Sequence, residues 1–235
     1  MIRYVDSKKM GRSYLGWLDS HFHFSFAEYY NPDNIQFGAL RVINDDIVQP
    51  GTGFDTHSHQ NMEILSYVID GQLSHADSMN NKHTLTRGQV QYMSAGTGVS
   101  HSEHNRGKDQ LRFLQIWILP DRNGHKPNYG DYRFAFEDRL NTWLPIATGV
   151  GNKTSGAPIR INQDVNVYAA VLTEGRSRDF TVGKGRRAYL VLIEGKADVN
   201  GTALSMRDGL EIVEENITVT PENSAHMLII EMAGA

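Results

Sequence analysis

The run GTGFDTHSHQNMEILSYVIDG, Gly51–Gly71, decides the fold. Its first part carries His57-Ser58-His59, a two-residue step that puts both imidazoles on one face of a strand, because strand side chains alternate with period two. Its second part, Ile64–Asp70, is an apolar, β-branched run closing on Asp70-Gly71, a strong tight-turn dipeptide. Further along, His101-Ser102-Glu103 repeats the step with one imidazole and one carboxylate. Strands returning side by side would bring three imidazoles and a carboxylate together, a set suited to a divalent metal.

The flanking sequence continues in the same manner. Gln72–Ser78, Lys82–Thr86 and Gln89–Met93 read as short strands broken at Asn80-Asn81 and Gly88. Leu111–Leu119 is the best-defined strand, with Leu111, Phe113, Gln115, Trp117 and Leu119 on one face and Pro120 as its stop. Only Phe136–Leu144 suggests a short helix. Together with 22 glycines, these runs point to an all-β chain. A weak internal repeat supports duplication: Leu65–Gly71 resembles Leu190–Gly195, at an offset of 124 residues between Gly71 and Gly195. Leu85–Gly88 with Gln89–Met93 likewise resembles Met206–Gly209 with Leu210–Val213, at an offset of 121 between Gly88 and Gly209. Asp121–Pro158 reads as a connector with little regular structure. Two β-barrel domains are expected, 1–135 and 136–235. The second lacks the metal-competent residues: Thr181 and Gly183 stand at the positions matching His57 and His59, Glu222 at that of His101, and His226 is the only later histidine.

Composition narrows the chemistry. The chain has 235 residues and no cysteine, so thiolate sites, disulfides and cysteine nucleophiles are excluded, and a metal would be held by nitrogen and oxygen. A formal charge of −4 and no long basic run give no indication of direct nucleic-acid binding. No segment approaches a membrane span, and the start shows no apolar run of signal-peptide length, so a cytoplasmic location is expected.

A His-x-His step alone is weak, since chance supplies it. His21-Phe22-His23 is such a pair, set in an aromatic run with no second ligand pair at hairpin distance, and reads as buried histidines. His57–His59 differs in being preceded by Gly51 and Gly53 and followed by a strand. Surface histidines on a barrel rim remain the alternative at this point. Alternation turns His104 away from Glu103 and His101. His75, His83 and His125 lie in turn-rich polar stretches and read as solvated, Glu63 as either a further ligand or a group orienting an imidazole. Phe54 and Tyr67 are pocket candidates.

Gly51-x5-His57-x-His59-x3-Glu63-x7-Gly71 resembles the first cupin motif, one residue longer before its last glycine. Gly88 through Gly98, with His101 and Asn105, resembles the second. Glu103, two positions after His101, resembles the pirin family within the cupins, as do Leu18-Asp19-Ser20, Phe24-Ser25-Phe26 and Leu40–Asp46. The likeness is closest to bacterial pirin-like quercetin 2,3-dioxygenases, dense over residues 15–120 and looser beyond. Ser58 departs from the proline of many relatives, without consequence for ligation. The resemblance implies a bicupin, two antiparallel jelly-roll-like barrels face to face. It implies metal only in the N-terminal barrel, His57, His59, His101 and Glu103 as ligands, and Glu63 as a non-ligand neighbour. It implies Fe(II) as the ion, with nickel, copper, zinc and manganese compatible with the same donors. The implied function is dioxygen-dependent cleavage of a flavonol such as quercetin or oxidation of a related enol, with Glu103 as the base. The alternative is a metal-dependent regulator that binds a protein partner.

Overall fold

A computed structural model describes residues 1–152 and 156–234. The chain forms two compact units. One comprises Gly11–Ala135 with Ile161–Gln163, the other Met1–Met10 with Phe136–Arg160 and Asp164–Ala235, so neither is one continuous run. The strands, in chain order, are β1 (Ile2–Val5), β2 (Gly11–Tyr14), β3 (Leu18–Phe22), β4 (Leu40–Val48), β5 (Gly53–His59), β6 (Glu63–Asp70), β7 (Leu73–Asp77), β8 (Lys82–Leu85), β9 (Val90–Ser94) and β10 (Val99–His104). They continue as β11 (Leu111–Ile118), β12 (Asn128–Tyr132), β13 (Leu144–Gly149), β14 (Ile159–Ile161), β15 (Val165–Thr173), β16 (Arg178–Phe180), β17 (Arg186–Val199), β18 (Thr202–Ser205), β19 (Gly209–Val213) and β20 (Ile217–Ala233). The fold is all-β, and Phe136–Arg139 forms only a single 3-10 turn where a short helix was expected.

The unit of Gly11–Ala135 contains two sheets, β5-β10-β7-β8 and β12-β9-β6-β11-β4-β3-β2. Period-two patterning explains their inner faces: in β10, Val99, His101 and Glu103 are buried while Ser100, Ser102 and His104 are not. Val68, Leu73, Leu85, Leu111 and Phe113 form an apolar cluster in this unit. The other unit is one nine-stranded sheet, β1-β19-β17-β20-β15-β13-β14, with β16 on β20 and β18 on β17. Its core is aliphatic, including Leu172, Leu190, Leu192, Leu210, Ile212, Met227 and Ile229.

The repeat is visible in the backbone, with one correction. Gly71 (φ +79°) and Gly195 (φ +83°) turn the chain at matching places, and a Cβ on either would lie within 2.4 Å of a carbonyl oxygen. Gly88 N–H donates to Val68 O, as Arg207 N–H donates to Leu192 O, and Gly88 and Arg207 share positive φ. Gly88 therefore corresponds to Arg207 rather than Gly209. Gly209 is needed for another reason: a Cβ there would meet Tyr189 Oη at 2.5 Å.

The stretch expected to be an irregular connector contains β12, paired antiparallel with β9, and β13, paired antiparallel with β15. Residues 153–155 of that stretch lie outside the described residues. Edge and short strands of this kind gain their stability from partners distant in sequence, which local composition does not reveal.

Candidate metal centre

The geometry begins with strand register. β10 pairs antiparallel with β5, placing His101 directly opposite His57 and Val99 opposite His59. The register then shifts, so that Glu103 stands opposite Phe54 and His104 opposite Gly53. An extra residue on β5 takes up that shift, a β-bulge. Gly53 permits the close approach: a Cβ there would lie 2.4 Å from the Glu103 carbonyl oxygen and 2.5 Å from His104 Cα.

Three imidazoles converge as a result. Ring centroids of His57, His59 and His101 are 4.5–4.9 Å apart, and His57 Nε2 lies 3.1 Å from His101 Nε2. Their donor atoms lie within 4.8 Å of one another, close enough to share one ion. His57 Nδ1 is 2.8 Å from the Asp55 carbonyl oxygen, which requires the proton on Nδ1 and leaves the Nε2 lone pair facing His101. Burial, followed by the neighbouring imidazoles, lowers His59 to about 4 and His101 to about 3. Both are held in the neutral form that a metal requires.

Glu103 is buried beside them and anchored from the other sheet. Gln91 Nε2 donates to its Oε1 at 2.5 Å, Gln115 Nε2 donates to Oε2 at 2.6 Å, and Ser66 Oγ lies 2.9 Å from Oε1. Gln91, Ser66 and Gln115 occupy one row across β9, β6 and β11. The carboxylate thus has three fixed polar partners, which satisfy a charge that burial would otherwise penalise. Its donor oxygen falls in a second, overlapping group with His101 and His75.

His75 is a correction to the sequence reading. It is buried, not solvated, because β7 turns Leu73 and His75 to the inside. Its ring stacks on Tyr129 at 4.5 Å and its Nε2 lies 3.1 Å from Asp77 Oδ2. The alternation of Leu73 and His75 was the available signal. Gln115 was likewise visible as a polar residue in the apolar row of β11.

The other histidines stand apart. His104 is on the outer face, 3.6 Å from Asp55, while His83 and His125 approach Asp131 and Asp121. His23 is buried, with its backbone N–H on Ile43 O, and neither it nor His21 joins the cluster. Glu63 is buried and accepts from Tyr92 Oη and Ser94 Oγ at 2.7 Å each and from the Asn162 N–H at 3.0 Å. It serves there as an anchor for Ile161–Gln163. In the other unit, His226 meets Glu194 at 2.7 Å, and no metal-competent group of three occurs among its described residues.

A cavity of about 420 Å³ opens on the cluster. His57, His59 and Glu103 line it with Trp17, Phe22, Phe26, Phe54 and Trp117, and Ser20, Asn44, Asp46 and Gln115 add polar atoms. Phe54 is a wall residue, whereas Tyr67 is buried and does not line the cavity. Its volume and mixed lining are those of a small-molecule site.

Comparison with known proteins agrees with this architecture. The Pirin family profile matches residues 5–118, and the profile of the quercetinase C-terminal cupin domain matches 142–232. A pirin-like protein of Caulobacter vibrioides is 41% identical over 226 residues, covering 96% of this chain and 97% of its own. A quercetin 2,3-dioxygenase of Escherichia coli is 37% identical over 235 residues, covering 99% of each. The crystal structure of the bacterial pirin YhhW from Escherichia coli in complex with nickel(II) superimposes with a TM-score of 0.93 at 36% identity, covering 100% of both chains.

Proposed function

This chain belongs to the pirin family, and on that premise we propose that it is a metal-dependent dioxygenase that opens the heterocycle of a flavonol such as quercetin. The observation that carries the reading is the convergence of three imidazoles, two of them held neutral, on an aromatic cavity that Glu103 also lines.

His57, His59 and His101 would hold a divalent ion, with Glu103 as the fourth ligand. The donor set fits: the His57 tautomer is fixed by Asp55, and its free lone pair is aimed at His101. Fe(II) suits these nitrogen and oxygen donors, and the nickel(II) complex of the relative YhhW supports a divalent ion in this family. The ion would supply Lewis acidity toward a chelating enol and a redox route to dioxygen.

The protein's own groups do the rest. Trp17, Phe22, Phe54 and Trp117 offer apolar walls to a flat aromatic substrate and exclude water. Glu103 accepts the proton of the flavonol 3-hydroxyl, which sits beside the 4-ketone. Gln91, Gln115 and Ser66 keep that carboxylate in position when its bonding changes. The electron-rich ring is then open to dioxygen.

Protein loaded with iron under anaerobic conditions should consume oxygen and bleach quercetin, with release of carbon monoxide, and His57→Ala and Glu103→Ala should not. Fully iron-loaded wild-type protein that turns over no flavonol would overturn the reading and favour a metal-responsive regulator.

A further inference from the structure

The cavity contains a second carboxyl group that the reaction above does not use. Asp46 lies on β4, 3% exposed, and lines the same cavity as Glu103 from the other sheet. Ser20 Oγ, its cross-strand neighbour on β3, donates to Oδ1 and leaves Oδ2 for a guest. No hydrogen bond joins Asp46 to any of the three imidazoles or to Glu103 among the described residues.

Among the described residues, no cation forms an ion pair with it. Asp45, next in sequence, takes both arms of Arg112 at 2.9 and 2.6 Å, and Asp19 on β3 takes Arg12 at 2.7 Å. His21 stands opposite Asp45 on the neighbouring strand, and Phe113 stands opposite Asp46 on β11. His57, His59 and Glu28 also line the cavity, and the first of these has its proton committed to Asp55. Asp46 therefore faces Glu103 inside a low-dielectric space with Asp45 and Asp19 behind it. Two such carboxylates are costly to ionise together, and Glu103 has three fixed polar partners where Asp46 has one. Burial, with Asp45, Glu103 and Asp19 adding repulsion and Ser20 opposing, pushes Asp46 up to about 7.

We propose that Asp46 is held as a neutral carboxylic acid and is the cavity's hydrogen-bond donor to an oxygen of the substrate, so that the site selects neutral hydroxylated aromatics over carboxylates. A neutral acid donates where a carboxylate would repel the electron-rich oxygens of a flavonol. The choice of guest rests on the flavonol reading, whereas the protonation of Asp46 rests on the cavity itself.

Binding is measured on zinc-loaded protein, which is redox-inert, with quercetin as the probe. In metal-free protein, where no ion offsets Glu103, the infrared carbonyl band of a protonated carboxylic acid should be present at about pH 6, fade by about pH 8 and be missing from Asp46→Asn. Because asparagine donates at every pH, the ratio of wild-type to Asp46→Asn dissociation constants isolates the titration of Asp46 from that of quercetin. This ratio should rise about fivefold over the first pH unit above the midpoint and approach about tenfold per unit beyond it. Glu103→Gln should keep the band and move its midpoint down, and Ser20→Ala should move it up. Those two variants keep the question open to test if Asp46→Asn fails to fold. A missing band, a band that survives Asp46→Asn, or a flat ratio would overturn the proposal. An intact, titrating band in protein that binds no quercetin at any pH would sink the flavonol reading while supporting Asp46 as the cavity's acid.

Discussion

In the unit of Gly11–Ala135, the sheet interior carries Ser20, Asn44, Asp46, Ser66, Gln91 and Gln115 around an open cavity. In the unit containing β15–β20, the corresponding space is closed by Leu172, Leu190, Leu192, Leu210, Met227 and Ile229. Both use the same strand–turn–strand plan, down to the positive-φ glycines Gly71 and Gly195. The difference shows that the strand plan itself does not need an aliphatic filling. One copy uses its inner positions for stability, and the other gives up apolar packing to hold polar groups in fixed positions. Buried polar groups of this kind persist only when they are partnered, and the Ser66, Gln91 and Gln115 bonds to Glu103 meet that condition.

The strongest way to break this comparison is to remove the site from the first copy. His101→Ala takes out the one imidazole shared by both metal-competent groups, and bound metal should fall from about one ion per chain to below about a tenth. Elemental analysis after dialysis checks this, and full occupancy in the variant would mean that metal binds elsewhere. The reciprocal change is Leu210→Ala in the aliphatic core. It should cost about 2–5 kcal/mol in denaturant unfolding and leave the metal-to-protein ratio of the folded protein unchanged. Loss of metal in that variant would show that the two copies are not independent.

Gln115→Leu sharpens the contrast by giving the first copy an apolar residue in its polar row. It removes a donor to Glu103, and metal affinity should drop about 10–100-fold by competition with a chelator, with secondary structure retained. A further effect is expected on stability against pH. His59 and His101 are lowered in the folded state, so the unfolded chain binds protons first as pH falls below about 6.5. The stability of the metal-free protein should therefore be complete above that pH. It should decline as pH falls toward about 4 for His59 and about 3 for His101. A His59→Gln/His101→Gln double variant should show a shallower decline between pH 6.5 and 4, which unfolding midpoints across that range would reveal.

Much of this was legible in the chain. The two-residue steps at His57–His59 and His101–Glu103 gave the face each side chain occupies, because side-chain alternation is a local property of an extended backbone. Asp70-Gly71 marked a turn for the same reason. What required the tertiary structure was every relation between distant strands. Opposing His101 to His57, shifting the register before Glu103, burying His75 and bringing Gln91, Ser66 and Gln115 onto one carboxylate all depend on pairing across many residues. So does the placement of Met1–Met10, which joins the unit of β13–β20 through β1 on β19. Alternation tells which residues share a face, but only long-range pairing decides which face becomes an interior and what meets there. For that reason the sequence by itself determined the β architecture and singled out His57, His59, His101 and Glu103 as candidates, and the tertiary structure alone decided the burial of His75 beside them, the anchors of Glu103 and the place of Asp46 in the cavity.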